Sequence, residues 1–181
     1  MRQIYMTPIY LTTTIRAAVS AAVLLLLGSV SGPVASGRGA YDWPLVPRPA
    51  VARGFDPPAQ RWLPGHRGVD LAAPAEAAVL SAGAGTVRFA GRVVDRGVVS
   101  VVHPDQLTTT YEPVRPIVRA GQTVGRGQVL GYLDSGHPDC PAAACLHWGA
   151  RRGTGATAAY LNPLMLVGAV RVRLKPVGTW P

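Results

Sequence analysis

The sequence predicts a single all-β domain, an antiparallel sheet or barrel-sandwich, behind an N-terminal signal segment. Three observations predict it. From Gly68 to Arg151, short runs rich in Val, Leu, Thr and Tyr alternate with Gly, Pro and Asp punctuation, the pattern of strands joined by tight turns. No stretch beyond the leader has the length and 3.6-residue apolar period of a substantial helix. The 181 residues are 48% hydrophobic, with 21 Gly and 17 Pro, which gives many turns around one core and excludes a disordered polymer.

Residues 1–36 read as a signal peptide. Arg2 and Arg16 precede the apolar run Ala17 to Val30, which is short for a bilayer span of about 20 residues. Small residues follow, with Val34-Ala35-Ser36 as the expected cleavage site. The competing reading is an uncleaved leader that acts as a membrane anchor. The remaining chain is strongly basic through arginine, since Lys175 is the only lysine. A basic exported protein suits an anionic surface such as a cell wall. Nucleic acid is not the expected partner, because the arginines are scattered and no recognition helix or stacking motif accompanies them.

Residues 37–61 form an extended lead-in, in which Pro44, Pro47, Pro49, Pro57 and Pro58 exclude regular structure over most of the length. Tyr41, Trp43, Phe55 and Trp62 are expected to pin it to the domain. The β domain spans 62–174. Its strands are read at Ala78–Ser81, Thr86–Val94, Val98–His103, Leu107–Glu112, Gln128–Leu133 and Leu146–Arg151, with a short helical turn within Tyr160–Leu166 and a closing strand from Ala169 to Leu174. Residues 175–181 are a tail. The similar halves Val118–Val124 and Gly125–Gly131 resemble the Gly-Gln turns of lipoyl and biotin carriers, without the carrier lysine. That resemblance implies barrel-sandwich geometry and no carrier function.

The chemistry gathers at Gly65-His66-Arg67-Gly68-Val69-Asp70-Leu71 and Cys145-Leu146-His147-Trp148-Gly149. Two imidazoles and a carboxylate hold zinc while leaving a fourth position open. A helix carrying positions 66 and 70 on one face is excluded by Pro64, Gly65 and Gly68. On a straight strand the pair would stand roughly 13 Å apart, too far for one ion. The chain must bend between them, and Gly68 is the residue expected to permit it. Taken alone, the pair also fits a surface His and Asp flanking a turn.

Together with Gly85-Thr86-Val87, Thr110-Tyr111 and Val118–Gly131, these motifs occur in the order that resembles lysostaphin-type zinc metallopeptidases, over roughly residues 62 to 167. The resemblance implies an antiparallel β fold with a groove, a Zn2+ ion held by His66, Asp70 and His147, and cleavage of peptide crosslinks in peptidoglycan. Two positions depart from the family pattern. Its His-x-His reads Cys145-Leu146-His147, and its Tyr-x-His reads Tyr111-Glu112-Pro113. Both catalytic histidines are replaced. Glu112 is the nearby candidate base, although adjacent strand residues face opposite sides, so without a bulge it is expected to point away from the groove.

Cys145 has three readings: a thiolate ligand beside His147, a free buried thiol, or a disulfide with Cys140, the only other cysteine. An oxidising compartment and the Pro141–Ala144 turn favour the disulfide. His103 reads as a turn residue. His137 reads as a solvent-exposed loop residue, with a substitute acid or base as the alternative. Arg67, beside the first ligand, is a candidate to hold a substrate carboxylate. Two functions compete: an exported zinc endopeptidase of peptidoglycan, or a catalytically degenerate domain that binds the cell wall or activates a partner murein hydrolase.

Overall fold

The computed structural model describes residues 39–137 and 140–170. The expected signal peptide, the tail and the expected strand beyond Val170 lie outside them. Eleven strands run in chain order: β1 (Val51–Arg53), β2 (Gly68–Ala73), β3 (Ala78–Leu80), β4 (Gly85–Val93), β5 (Arg96–Val102), β6 (Leu107–Glu112), β7 (Val114–Pro116), β8 (Thr123–Val124), β9 (Val129–Leu133), β10 (Ala144–Arg152) and β11 (Ala159–Leu161). Among the described residues they form two antiparallel sheets and no closed barrel. The larger has the order β1-β2-β10-β6-β5-β4-β8, with β11 also on β10, and the smaller has the order β3-β9-β7. The all-β antiparallel expectation holds. Strand β1 arises inside the proline-rich lead-in, where the sequence reading placed no strand.

Alternation along β2, β6 and β10 sorts their side chains. Val69, Leu71, Tyr111, Ala144, Leu146 and Trp148 turn into the core with Val99 and Val101 of β5 and Leu130 and Leu133 of β9. Burying each such Val or Leu contributes about 1.5–3 kcal/mol, so the three central strands are anchored from one face and leave the other for chemistry. The hairpin halves repeat one device. Gln122 N–H donates to Arg119 O and Gln128 N–H to Gly125 O, closing turns whose third residues, Gly121 and Gly127, have φ of 83° and 77°. Each glutamine's Oε1 also accepts the N–H three residues earlier, from Arg119 at 3.2 Å and Gly125 at 2.9 Å.

Most of the lead-in is pinned as expected. Leu45 is buried, Tyr41, Trp43 and Phe55 pack on the core, and Tyr41 O–H donates to Asp105 Oδ1 at 2.8 Å. Trp62 departs from the reading: it lies on a turn and is 79% exposed. His103 departs too. It is 2% exposed; its Nδ1–H donates to Ala84 O at 2.9 Å, and its Nε2 accepts from Thr109 Oγ1 at 2.8 Å. Burial lowers its pKa. It is a core polar residue. The helical turn falls at Pro163–Met165, where Asn162 accepts the Leu164 N–H. Residues 169 and 170 are not strand.

Candidate metal centre

Register brings the predicted ligands together. In β10, His147 pairs with Asp70 of β2 on one side and Glu112 of β6 on the other, and directly opposed antiparallel residues share a face. The chain bends at Arg67, just before β2, and returns His66 over the same face, held by a bridge in which Asp56 and His66 exchange backbone hydrogen bonds. The bend therefore lies one residue before the position the sequence suggested. Gly68 serves another purpose. A Cβ there would lie 2.6 Å from His147 Nε2 and 2.6 Å from Trp148 O, so the glycine makes room for the imidazole.

The ligand atoms of His66, Asp70 and His147 all lie within 4.8 Å of one another. Asp70 Oδ1 is 2.9 Å from His66 Nε2 and 2.9 Å from His147 Nδ1, and the two nitrogens are 3.0 Å apart. His66 Nδ1 is 2.6 Å from Gly54 O, and because a carbonyl only accepts, that nitrogen carries the proton. In the neutral ring, the Nε2 lone pair then faces a carboxylate oxygen and a second imidazole nitrogen. With His147 also deprotonated at Nδ1, such a triangle of electron-rich atoms would be held by a cation at its centre; without one, His147 Nδ1–H donates to Asp70 Oδ1. Nitrogen and oxygen ligands at zinc bond lengths in a tetrahedron stand about 3.3 Å apart, close to these edges. The donor set fits zinc, with the Gly54 carbonyl as the outer partner that fixes the His66 tautomer.

Burial raises the Asp70 carboxyl, but the hydrogen bond from His147 and the imidazoles of His137, His66 and His147 outweigh it, and its pKa falls below the ordinary value. His137 corrects the sequence reading of an exposed loop residue. Its side chain is 10% exposed, its Nε2 lies 3.3 Å from Asp70 Oδ1, and its ring lies parallel to His147 at 6.1 Å between centroids. It lines a cavity with Pro113, where the resemblance read in the sequence expected a histidine. No local motif marked it; the fold brings the loop after β9 back over the ligands.

Glu112 requires a second correction. The register places it on the face of His147, lining a cavity of about 250 Å³ with His147, Arg67 and Tyr160. The expectation that it points away assumed unbroken alternation into residue 113; the strand instead ends at Glu112 and β7 begins at Val114. Cys140 and Cys145 are disulfide-bonded, which removes Cys145 as a thiolate ligand and ties the loop carrying His137 to β10. Arg67 donates through Nη2 to Arg61 O at 2.6 Å and Leu63 O at 3.4 Å, with its guanidinium 5.6 Å from the Tyr160 ring centroid.

The model of peptidase family M23 matches residues 64–163. An uncharacterized protein of Mycobacterium tuberculosis is 47% identical over 170 residues, covering 93% of this chain and 68% of the relative. The structure is similar to the antimicrobial peptidase lysostaphin from Staphylococcus simulans, at a TM-score of 0.57 and 18% identity, over 74% of this chain and 55% of that one. It is also similar to a chain of the complex of SpoIIIAH and SpoIIQ, at a TM-score of 0.58 and 23% identity, over 69% of this chain and 98% of that one. At these identities the structural likenesses show the fold.

Proposed function

This chain belongs to peptidase family M23, and from that premise we propose that it is an exported, zinc-dependent endopeptidase acting on peptide crosslinks of peptidoglycan. The observation that supports it most is the His66–Asp70–His147 triangle, whose atoms are spaced for one ion and whose His66 tautomer is set by a backbone carbonyl. A domain that only binds its target has no need of three ligands that leave a position open. When bound there, zinc supplies a Lewis acid and an acidified water.

The chain's own residues do the rest. Asp70, ionised and buried between imidazoles, fixes the orientation of both histidine rings. His137 and Glu112 flank the ligands: His137 shares a cavity with Pro113, and Glu112 shares one with His147. His137 stands in for the histidines missing at 113 and 145, donating a hydrogen bond to the scissile amide and carrying its proton to the departing amine. Glu112, opposite His147, positions the substrate backbone.

The replacement of both family histidines favours a second reading, a binding or activating partner of a murein hydrolase. One experiment separates them: incubation of zinc-loaded protein and of Asp70→Ala with crosslinked peptidoglycan, followed by chromatography of released peptides. Release by the unmodified protein alone supports the endopeptidase. Equal release, or none, from both supports the binding role.

A further inference from the structure

An arginine has five N–H donors in a planar fork, and the fork's geometry matches a carboxylate. At Arg67 only Nη2 has hydrogen-bond acceptors among the described residues, the carbonyls of Arg61 and Leu63. These bonds and the Tyr160 ring beneath the guanidinium hold the fork still. No carboxylate of the described residues lies within ion-pair distance of Arg67, whereas Arg96, Arg115, Arg126 and Arg152 each have at least one. A preorganised cation with Nη1 and Nε left to donate is a binding group for an anion.

Its position says which anion. Arg67 and Tyr160 line two adjoining cavities: the inner one of about 250 Å³, with His147 and Glu112, and an outer one of about 530 Å³, with Arg61, Pro57 and Pro58. The guanidinium therefore borders both the outer cavity and the one lined by His147. Arg61 stands at the same cavity, its Nη1 and Nη2 held at 2.9 Å by the carbonyls of Ala156 and Gly155. The inner cavity sets the Glu112 carboxyl beside Arg67 and Arg151, whereas the outer one offers Arg67 and Arg61 with no carboxylate in its lining. The carboxylate belongs in the outer one.

We infer that the outer cavity is a substrate subsite in which Arg67, steadied by Tyr160 and assisted by Arg61, grips a free carboxylate on the peptide arm next to the scissile bond. The substrate class is then an acidic stem peptide, and its amidated form is a poor ligand. This rests on the endopeptidase reading for the identity of the peptide. The recognition of a carboxylate rests on the cavity alone.

The test uses the full chain and two soluble crosslinked stem-peptide dimers, one with free carboxylates and one with those groups converted to carboxamides. Titration calorimetry gives their affinities, and chromatography gives their cleavage. A charge-assisted hydrogen bond contributes enough that the carboxamide should bind about ten- to a hundredfold more weakly. Arg67→Gln should bind both peptides alike, and Arg67→Lys, which keeps the charge without the fork, should fall between. If Arg67→Gln does not fold, the two-peptide comparison in the unmodified protein still decides. Discrimination without cleavage supports the subsite and removes the endopeptidase reading. Cleavage of both peptides with equal affinity removes the subsite and leaves that reading standing. Failure of the free-carboxylate peptide to bind at millimolar concentration overturns the subsite.

Discussion

Gly68→Ala is a one-methyl perturbation whose consequence can be worked from the structure. The added Cβ would lie 2.6 Å from His147 Nε2, 2.7 Å from His147 Cε1 and 2.6 Å from the Trp148 carbonyl oxygen. Ordinary contact begins at 3.4 Å, so the ring or the strand must yield by about 0.8 Å. Metal–ligand bonds tolerate only about 0.2 Å. His147 Nδ1 is 2.9 Å from Asp70 Oδ1 and 3.0 Å from His66 Nε2, so a shift of that size takes the nitrogen out of register with the other ligands. Zinc affinity should fall by at least the ten- to hundredfold that displaced supporting contacts cost. Because Trp148 O is backbone, stability should fall as well, by about 1–3 kcal/mol as for other overpacked sites. The assay is competition for zinc against a chelator of known affinity, with thermal unfolding of the metal-free protein measured separately. A variant that folds and binds zinc within twofold of the unmodified protein would refute the claim that Gly68 exists to seat the imidazole.

Burial lowers the pKa of His103, so below its ordinary value of 6.5 the unfolded chain takes the proton first. Stability should be complete above that pH and fall as the pH drops through it; thermal melts across pH 7.5 to 5 should show a loss that shrinks in His103→Gln. Replacing both cysteines, Cys140→Ser with Cys145→Ser, opens a ring with a sequence separation of 5 and should cost about 2 kcal/mol in denaturant unfolding. Non-reducing mass spectrometry of the unmodified protein should find no alkylatable thiol. Restoring the family pattern with Pro113→His and Cys145→His, with Cys140→Ser to avoid a lone thiol, should raise peptide release by less than the roughly 10²-fold that a wholly absent acid or base costs, because His137 fills part of that role. No gain in a correctly folded variant would mean that His137 already supplies what those positions lack. Conversely, His137→Ala should reduce release far more than Glu112→Gln, read from initial rates on crosslinked peptidoglycan.

The strands were legible because Val, Thr and Tyr alternate between Gly, Pro and Asp turns, and the turn residues at Gly121 and Gly127 announce their positive φ. The convergence of His66, Asp70 and His147 was legible only through the family resemblance, since Asp70 and His147 stand 77 positions apart with no local signal for their pairing. Register was harder. Whether Glu112 faces the ligands depends on which β10 residue it opposes, and a one-residue slip reverses the answer. The positions of His137 and Trp62 were not legible: one loop folds over the centre and the other projects into solvent, and both outcomes are decided by tertiary contacts rather than local composition. The hydrogen bond from His66 to Gly54 is likewise invisible in the sequence, because any residue at position 54 supplies the same carbonyl.

Everything proposed for catalysis depends on three side chains holding one ion. Titration of the metal-free full chain with zinc, followed by calorimetry and by elemental analysis after gel filtration, tests that directly. One equivalent of zinc per chain, lost in both Asp70→Ala and His147→Ala but retained in Glu112→Gln, is the predicted result. A folded protein that binds no zinc, or binds it equally well after Asp70→Ala, would contradict the assignment.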